Sequence, residues 1–251
     1  MADSTRLLIE KHWMLFVDGE NFTKRGQAVL EEANLKPVGP THWREDVLLW
    51  LPTHKGTEPF IAPSSWPFMR TSSPSVPQPQ AHLADRAYYY TSMPYENAAV
   101  VTATRLALRE IGFEPKMFPR RREKSKVAEL PPGEERDEAL ARWKSKAVDL
   151  ALATDVLTLA GEGRYEVAVL FAGDADYVPV VEAVKRLGRH VVLGFFAGKG
   201  HGLSDELRIA ADEFVDLTSH LINSWKVDRV IREREAQIAA NGGVAAATSE
   251  G

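Results

Sequence analysis

The order of apolar and polar residues along the chain predicts strands and helices that alternate. Apolar runs typical of buried strands cover His12–Val17, Asp85–Ser92, Phe113–Phe118, Val167–Ala172, His190–Phe196 and Glu213–Leu217. Helical spacing predicts helices between them at Asn21–Leu35, Asn97–Ile111, Arg136–Ala160, Val178–Leu187 and Leu203–Ala211. Such alternation is typical of an α/β fold, a parallel sheet with helices on both faces. Because right-handed crossovers join such strands, we expect the C-terminal ends of all strands at one edge of the sheet.

The alternation breaks down over about 37–82, where seven of the 15 prolines lie between Pro52 and Pro79. Proline lacks the amide donor that a sheet requires, so we expect a long surface insertion that is partly polyproline-like. An insertion of this length either folds over a site or carries a contact with a partner. We therefore expect one domain over 1–217, a C-terminal helix over 218–239 and a disordered tail over 240–251.

The composition is that of a globular protein and excludes several kinds of chemistry. The 251 residues are 44% hydrophobic and 26% charged, enough to bury a sizeable core. The absence of cysteine excludes disulfides, a thiolate nucleophile and cysteine-ligated zinc. No apolar run is long enough to cross a bilayer and the first residues lack a signal-peptide core, so we expect a cytoplasmic protein with no membrane partner. The net charge of −4 means that an anionic partner would need a local basic patch.

Aspartates follow the ends of two predicted strands. Asp18 comes directly after the first strand, and Asp174 and Asp176 come directly after the run VAVLFA. In open parallel sheets, ligands bind beyond the C-terminal ends of the strands. The preceding helix carries Asp149 and Asp155, and their spacing of six residues puts them on different faces. We favour Asp149 for the same site because it lies nearer the start of this helical segment.

Several carboxylates in a small volume need protons or a cation to neutralise them. Oxygen ligands suit a hard cation such as Mg²⁺ or Mn²⁺, and such ions support phosphodiester hydrolysis. An aspartate between a strand and a helix is also an ordinary helix cap, so each one alone is explained by structure. Together they predict a metal-binding and catalytic group that consists of Asp18, Asp149, Asp174 and Asp176.

The segments VDGEN, KAVDLALATD and GDADYVPVVEAVKRLGRHV, in this order, resemble the NYN domain, a PIN-like nuclease family that includes LabA-like proteins. The resemblance spans roughly 12–217 apart from the insertion. It implies a PIN-like three-layer fold with a central, mostly parallel sheet, a divalent-metal acidic site, and RNA cleavage. The four aspartates match the family's acidic positions. Asn21 matches the asparagine of its D-x-x-N motif, and Asp155 matches an additional acidic position.

Basic residues lie near the predicted acidic group. The run PRRREKSK follows the third strand, and two lysines precede the acidic part of the next helix. We expect these side chains to contact substrate phosphates, which would make binding depend on salt. A solvated charged loop is the alternative explanation. The residues concerned are Arg120, Arg121, Arg122, Lys144 and Lys146.

Three functional hypotheses follow. We expect a divalent-metal-dependent ribonuclease that acts as an endonuclease on RNA. The alternative is a catalytically weak or inactive module with the same fold that binds RNA or a protein. A homo-oligomer, or a protein partner bound through the proline-rich insertion, stays open. A phosphotransferase of the haloacid dehalogenase type is disfavoured, because Asp18 is followed by Gly19 and Glu20 and not by a second aspartate two residues on.

Overall fold

The computed structural model describes residues 12–52, 84–93, 97–119, 134–198, 200 and 202–247. In this part of the chain the strands are β1 (Trp13–Asp18), β2 (Trp43–Arg44), β3 (Leu48–Leu49), β4 (Arg86–Met93), β5 (Glu114–Pro119), β6 (Val167–Phe171), β7 (His190–Phe195) and β8 (Glu213–Asp216). The helices are α1 (Gly19–Glu32), α2 (Ala98–Glu110), α3 (Glu134–Gly161), α4 (Val178–Arg186), α5 (Asp205–Ala210) and α6 (Thr218–Ala247), and a 3₁₀ turn over Ala175–Tyr177 precedes α4.

Six strands form a central sheet in the order β5-β4-β1-β6-β7-β8, and every neighbouring pair is parallel. The predicted α/β fold, a parallel sheet flanked by helices, is confirmed. From β1 the chain adds strands outward through β4 and β5, then returns to the other side of β1 and continues through β6, β7 and β8. The strand order therefore reverses between β1 and β6, and parallel sheets bind their ligands in the crevice at such a point.

Two apolar cores lie on opposite faces of the sheet. Along β1, Leu15 and Val17 face one core, together with residues of α1, α2, α6 and the β2–β3 hairpin. Phe16 faces the other core, together with residues of α3, α4 and α5. The tyrosines of β4 alternate in the same way, with Tyr89 in the first core and Tyr90 in the second. Since each fully buried large apolar side chain stabilises the fold by about 1.5–3 kcal/mol, both helical layers are fixed to the sheet.

Polar side chains begin three of the helices. Asp18 caps α1, Asn97 caps α2 and Ser204 caps α5, each accepting a hydrogen bond from an amide in the first turn. Such caps satisfy amide groups that have no partner within the helix. Ser204 comes after the glycine-rich segment that follows β7, and its cap marks the start of α5.

The structure corrects the first part of the expected insertion over 37–82. Instead of a surface loop, β2 and β3 form an antiparallel hairpin, and Leu48 and Leu49 are fully buried. Trp50 then packs edge-on against Phe113 with ring centroids 4.6 Å apart. The apolar run VLLWL produces this burial, although the prolines that follow it suggested an irregular segment throughout. The proline-rich part, 53–83, lies outside the described residues.

The C-terminal helix is longer than expected. We predicted a helix over 218–239 and a disordered tail over 240–251, whereas α6 continues to Ala247. Alanine is the best helix former, and the several alanines of this segment favour the longer helix, although Gly242 and Gly243 do not. No helix in the part of the chain that the structure describes is both long and apolar enough to span a membrane.

Candidate acidic site at the sheet edge

Asp18, the last residue of β1, is a carboxylate with only 2% of its surface exposed. Its Oδ1 atom accepts a hydrogen bond of 3.1 Å from the backbone amide of Asn21, which caps α1. Burial, and after it the charges of Asp149 and Asp174, raise the pKa of Asp18 to about 8, although hydrogen bonds from Asn21 and Tyr177 act in the opposite direction. The fold holds this carboxyl away from water at the end of the central strand, where its charged form is less stable than it would be in solvent.

Gly19 allows α1 to start directly against β4. A Cβ atom at this position would overlap the Tyr89 ring and would lie 2.6 Å from the carbonyl oxygen of Tyr90. The Tyr89 hydroxyl group also lies 2.9 Å from the Thr23 hydroxyl group, so the ring is held in place from α1. This close approach of helix and strand fixes the position of Asp18.

The Tyr177 hydroxyl group lies between two carboxylates. It is 3.1 Å from Oδ2 of Asp18 and 3.1 Å from Oδ1 of Asp149, which α3 carries. Burial, and next the charges of Asp18 and Asp149, raise the pKa of Tyr177 well above its usual value, so the phenol stays protonated. A phenol has one proton and donates to one carboxylate at a time. Tyr177 was not predicted as a site residue, and its one signal in the sequence is its place directly after the GDAD motif.

Asp174 and Asp176 lie on the turn after β6. Asp174 is half-buried and precedes the 3₁₀ turn, but its side chain makes no capping hydrogen bond. Its charge instead contributes to the raised pKa of Asp18, which brings it into the same electrostatic group. Asp176 is exposed on the same turn. A role as a helix cap therefore does not explain Asp174.

Asp155 has a different set of partners. Its Oδ2 atom forms an ion pair of 2.9 Å with Lys116 of β5 and accepts a hydrogen bond of 2.9 Å from the Tyr90 hydroxyl group. These contacts tie α3 to β4 and β5. The structure thus gives Asp149 and Asp155, on one helix, separate partners, and Asp155 is not among the charges that act on Asp18.

Two further oxygen-bearing side chains belong to the first turn of α1. Oδ1 of Asn21 is buried and has no hydrogen-bond partner among the described residues. Glu20, which the sequence analysis did not select, accepts a hydrogen bond from the Ser92 hydroxyl group near the end of β4. Its only sequence signal was its place two residues after Asp18.

The basic residues that we expect to contact phosphates have no side chains among those that the structure describes. Arg120, Arg121 and Arg122 fall outside the described residues, and for Lys144 and Lys146 the structure describes the backbone of α3 but not the side chains. A further cation, Arg25 of α1, donates to the carbonyl oxygen of Gly200 at 3.3 Å. It packs against Gly202, where a Cβ atom would overlap the guanidinium group.

The oxygen-bearing side chains of this site are of the kind that binds a hard divalent cation, although they lie too far apart to surround one. Among the residues that the structure describes, no three Asp, Glu or His side chains are close enough together to surround a metal ion as they stand. Carboxylates that repel each other stay apart until a cation neutralises them. The buried Asp18 carboxyl and the unpartnered Asn21 oxygen are both groups that a cation would stabilise, and oxygen atoms are the ligands that Mg²⁺ and Mn²⁺ prefer.

Comparison with known proteins gives one family and one structural neighbour. The family model of the NYN domain matches residues 12–219. The fold is similar to the crystal structure of a protein of unknown function from Vibrio parahaemolyticus RIMD 2210633, with 15% sequence identity over 83% of this chain and 94% of that chain and a TM-score of 0.47. A comparison with curated proteins gave no match.

The raised pKa of Asp18 predicts how stability changes with pH when no divalent cation is present. The unfolded chain releases this proton near pH 4 and the folded chain near pH 8, so the folded state binds more protons in between. The contribution of Asp18 to the free energy of unfolding therefore decreases as the pH rises through this window. We expect the melting temperature of the wild type to fall more steeply between about pH 5 and about pH 8 than that of Asp18→Asn, which keeps an oxygen to cap α1. Parallel melting profiles in EDTA would contradict this assignment.

Proposed function

Since this chain belongs to the NYN domain family, we propose that it is a divalent-metal-dependent ribonuclease. The family consists of PIN-like nucleases, which act on RNA and generally use divalent metals. The proposed active site is the group of Asp18, Asp149 and Asp174 at the point where the strand order reverses. Asp176, exposed on the same turn as Asp174, is the fourth acid of this proposal.

One observation carries the proposal: the buried Asp18 carboxyl has its pKa raised by burial and by two other aspartates. These aspartates come from a strand end, a helix and a turn that are far apart in sequence. A helix cap needs no additional carboxylates nearby, and their repulsion destabilises the folded state when all are charged. Perturbed carboxyl groups that converge at a crevice are typical of functional sites.

The proposed roles follow from exposure and position. Asp18, Asp149 and Asp174 would hold the cation, and the unpartnered Oδ1 atom of Asn21 is a further oxygen ligand for it. A divalent cation bound there would lower the pKa of a water molecule and neutralise charge on the scissile phosphate. Asp176 is exposed on the same turn as Asp174, where a bound substrate can contact its carboxylate.

RNA is the proposed substrate because NYN nucleases act on RNA, and the basic residues near the acidic group in the sequence can bind its phosphates. We propose that Arg120, Arg121 and Arg122, which follow β5 in the sequence, contact the RNA backbone. Lys144 and Lys146 precede Asp149 on α3 by about one turn, and we propose that they bind phosphates as well. These contacts position the substrate without selecting a sequence.

Two substitutions on one helix test the site. Asp149→Asn removes a proposed ligand and should reduce Mn²⁺-dependent RNA cleavage by orders of magnitude with little change in the circular dichroism spectrum. Asp155→Asn is the matched control, because it makes the same change on α3 at a carboxylate that pairs with Lys116. It should keep cleavage within a few-fold of the wild type.

The substrates for this assay are a linear and a circular RNA, since cleavage of the circle requires an endonuclease. EDTA should abolish cleavage of both. Equal activity in the wild type and Asp149→Asn would show that the acidic group is not the active site. Cleavage of the linear RNA alone would restrict the proposal to an exonuclease.

The basic segment is tested by the salt dependence of RNA binding. Replacing Arg120, Arg121 and Arg122 with alanine should weaken binding and reduce the slope of log affinity against log salt by up to about 3 in magnitude, roughly one for each arginine that pairs with a phosphate. The measurement is a fluorescence anisotropy titration in EDTA at several salt concentrations. An unchanged slope would assign this run to a solvated loop.

A further inference from the structure

We propose that Tyr177 is a positioning residue that holds Asp149 against Asp18, so that one divalent cation can meet both carboxylates. This inference rests on the proposed function and names a residue through which the site is assembled. The residue concerned was not predicted from the sequence, and the roles proposed for the aspartates do not account for its hydroxyl group.

The first support is the geometry of the hydroxyl group. It is equally distant, at 3.1 Å, from one oxygen of Asp18 and one oxygen of Asp149, so these two oxygens are no further apart than twice that distance. With Tyr177 only 2% exposed, solvent does not compete for the contact. A buried hydroxyl group thus connects the end of β1 with α3.

The second support is the place of Tyr177 in the backbone. It is the last residue of the 3₁₀ turn, and its amide donates to the carbonyl oxygen of Asp174 at 3.3 Å. The same residue therefore contacts all three proposed ligands, one through its backbone and two through its side chain. Its ring also packs in the core that α3 and α4 form on the sheet, which fixes its direction.

The consequence for metal binding follows from charge repulsion. A cation is held by charged carboxylates, so metal binding requires both Asp149 and Asp18 to lose their protons. Without the hydroxyl group, the two charges repel each other with no proton donor between them. A cation would then have to bring the carboxylates together at the expense of its own binding free energy. Removal of a hydrogen bond to a metal ligand typically weakens metal affinity by about 10–100-fold.

The chain offers a matched control in Tyr90. This tyrosine is also buried, and its hydroxyl group also donates to an aspartate of α3, Asp155, at 2.9 Å. Tyr90→Phe therefore removes the same atom from the same kind of contact, at a carboxylate that is not a proposed ligand. A purely structural effect of removing a tyrosine hydroxyl group would appear in both variants.

The experiment is calorimetric titration of Mn²⁺ into metal-free wild type, Tyr177→Phe and Tyr90→Phe, with circular dichroism to show that each is folded. We expect Tyr177→Phe to weaken Mn²⁺ affinity by at least about tenfold and Tyr90→Phe to leave it within about twofold. Because Tyr177 acts by holding Asp149 against Asp18, Tyr177→Phe should weaken Mn²⁺ affinity less in the Asp149→Asn background than in the wild type.

The outcomes separate this inference from the function on which it rests. Wild-type affinity in Tyr177→Phe, or additive decreases in affinity in the double variant, would overturn the role of Tyr177 and leave the nuclease proposal standing. Equal decreases in Tyr177→Phe and Tyr90→Phe would assign the effect to general packing and would also overturn it. If the wild type itself bound no Mn²⁺, the proposed function would fail, and this inference with it.

Discussion

The site depends on one constraint, the burial of the Asp18 carboxyl at the end of the central strand. Burial is the main reason that its pKa is raised to about 8, and the neighbouring aspartates act in the same direction. The backbone amide of Asn21 and the Tyr177 hydroxyl group are the contacts that keep this group in place. The arrangement stores repulsion that a proton or a cation relieves, and this makes it suited to bind a metal ion.

The fold sets where this repulsion is concentrated. The strand order reverses between β1 and β6, and the C-terminal ends of strands at such a point are where parallel sheets bind their ligands. The two apolar cores hold α1 and α3 on opposite faces of the sheet, and each helix delivers an oxygen-bearing side chain to the same edge. The close approach of α1 to β4 also requires Gly19, because a larger residue there would push α1 away from β4.

The periodicity of apolar residues was sufficient to predict the sheet, its flanking helices and the aspartates at two strand ends, because burial of whole strands leaves a strong local pattern. Helical spacing also separated Asp149 from Asp155, and the structure gives them different partners. The role of the Tyr177 hydroxyl group could not be predicted, because it depends on tertiary contacts between residues far apart in the chain. The β2–β3 hairpin was missed because its apolar run is too short to outweigh the prolines that follow it.

Diffraction from crystals grown with Mn²⁺ would show whether Asp18, Asp149 and Asp174 hold a divalent cation. Anomalous scattering locates the ion without reference to activity. We expect an anomalous peak between the ends of β1 and β6, with carboxylate oxygens of Asp18, Asp149 and Asp174 at about 2.0–2.3 Å from the ion. A fully occupied ion bound elsewhere, with Asp18 and Asp149 still bridged only by Tyr177 at saturating Mn²⁺, would contradict it.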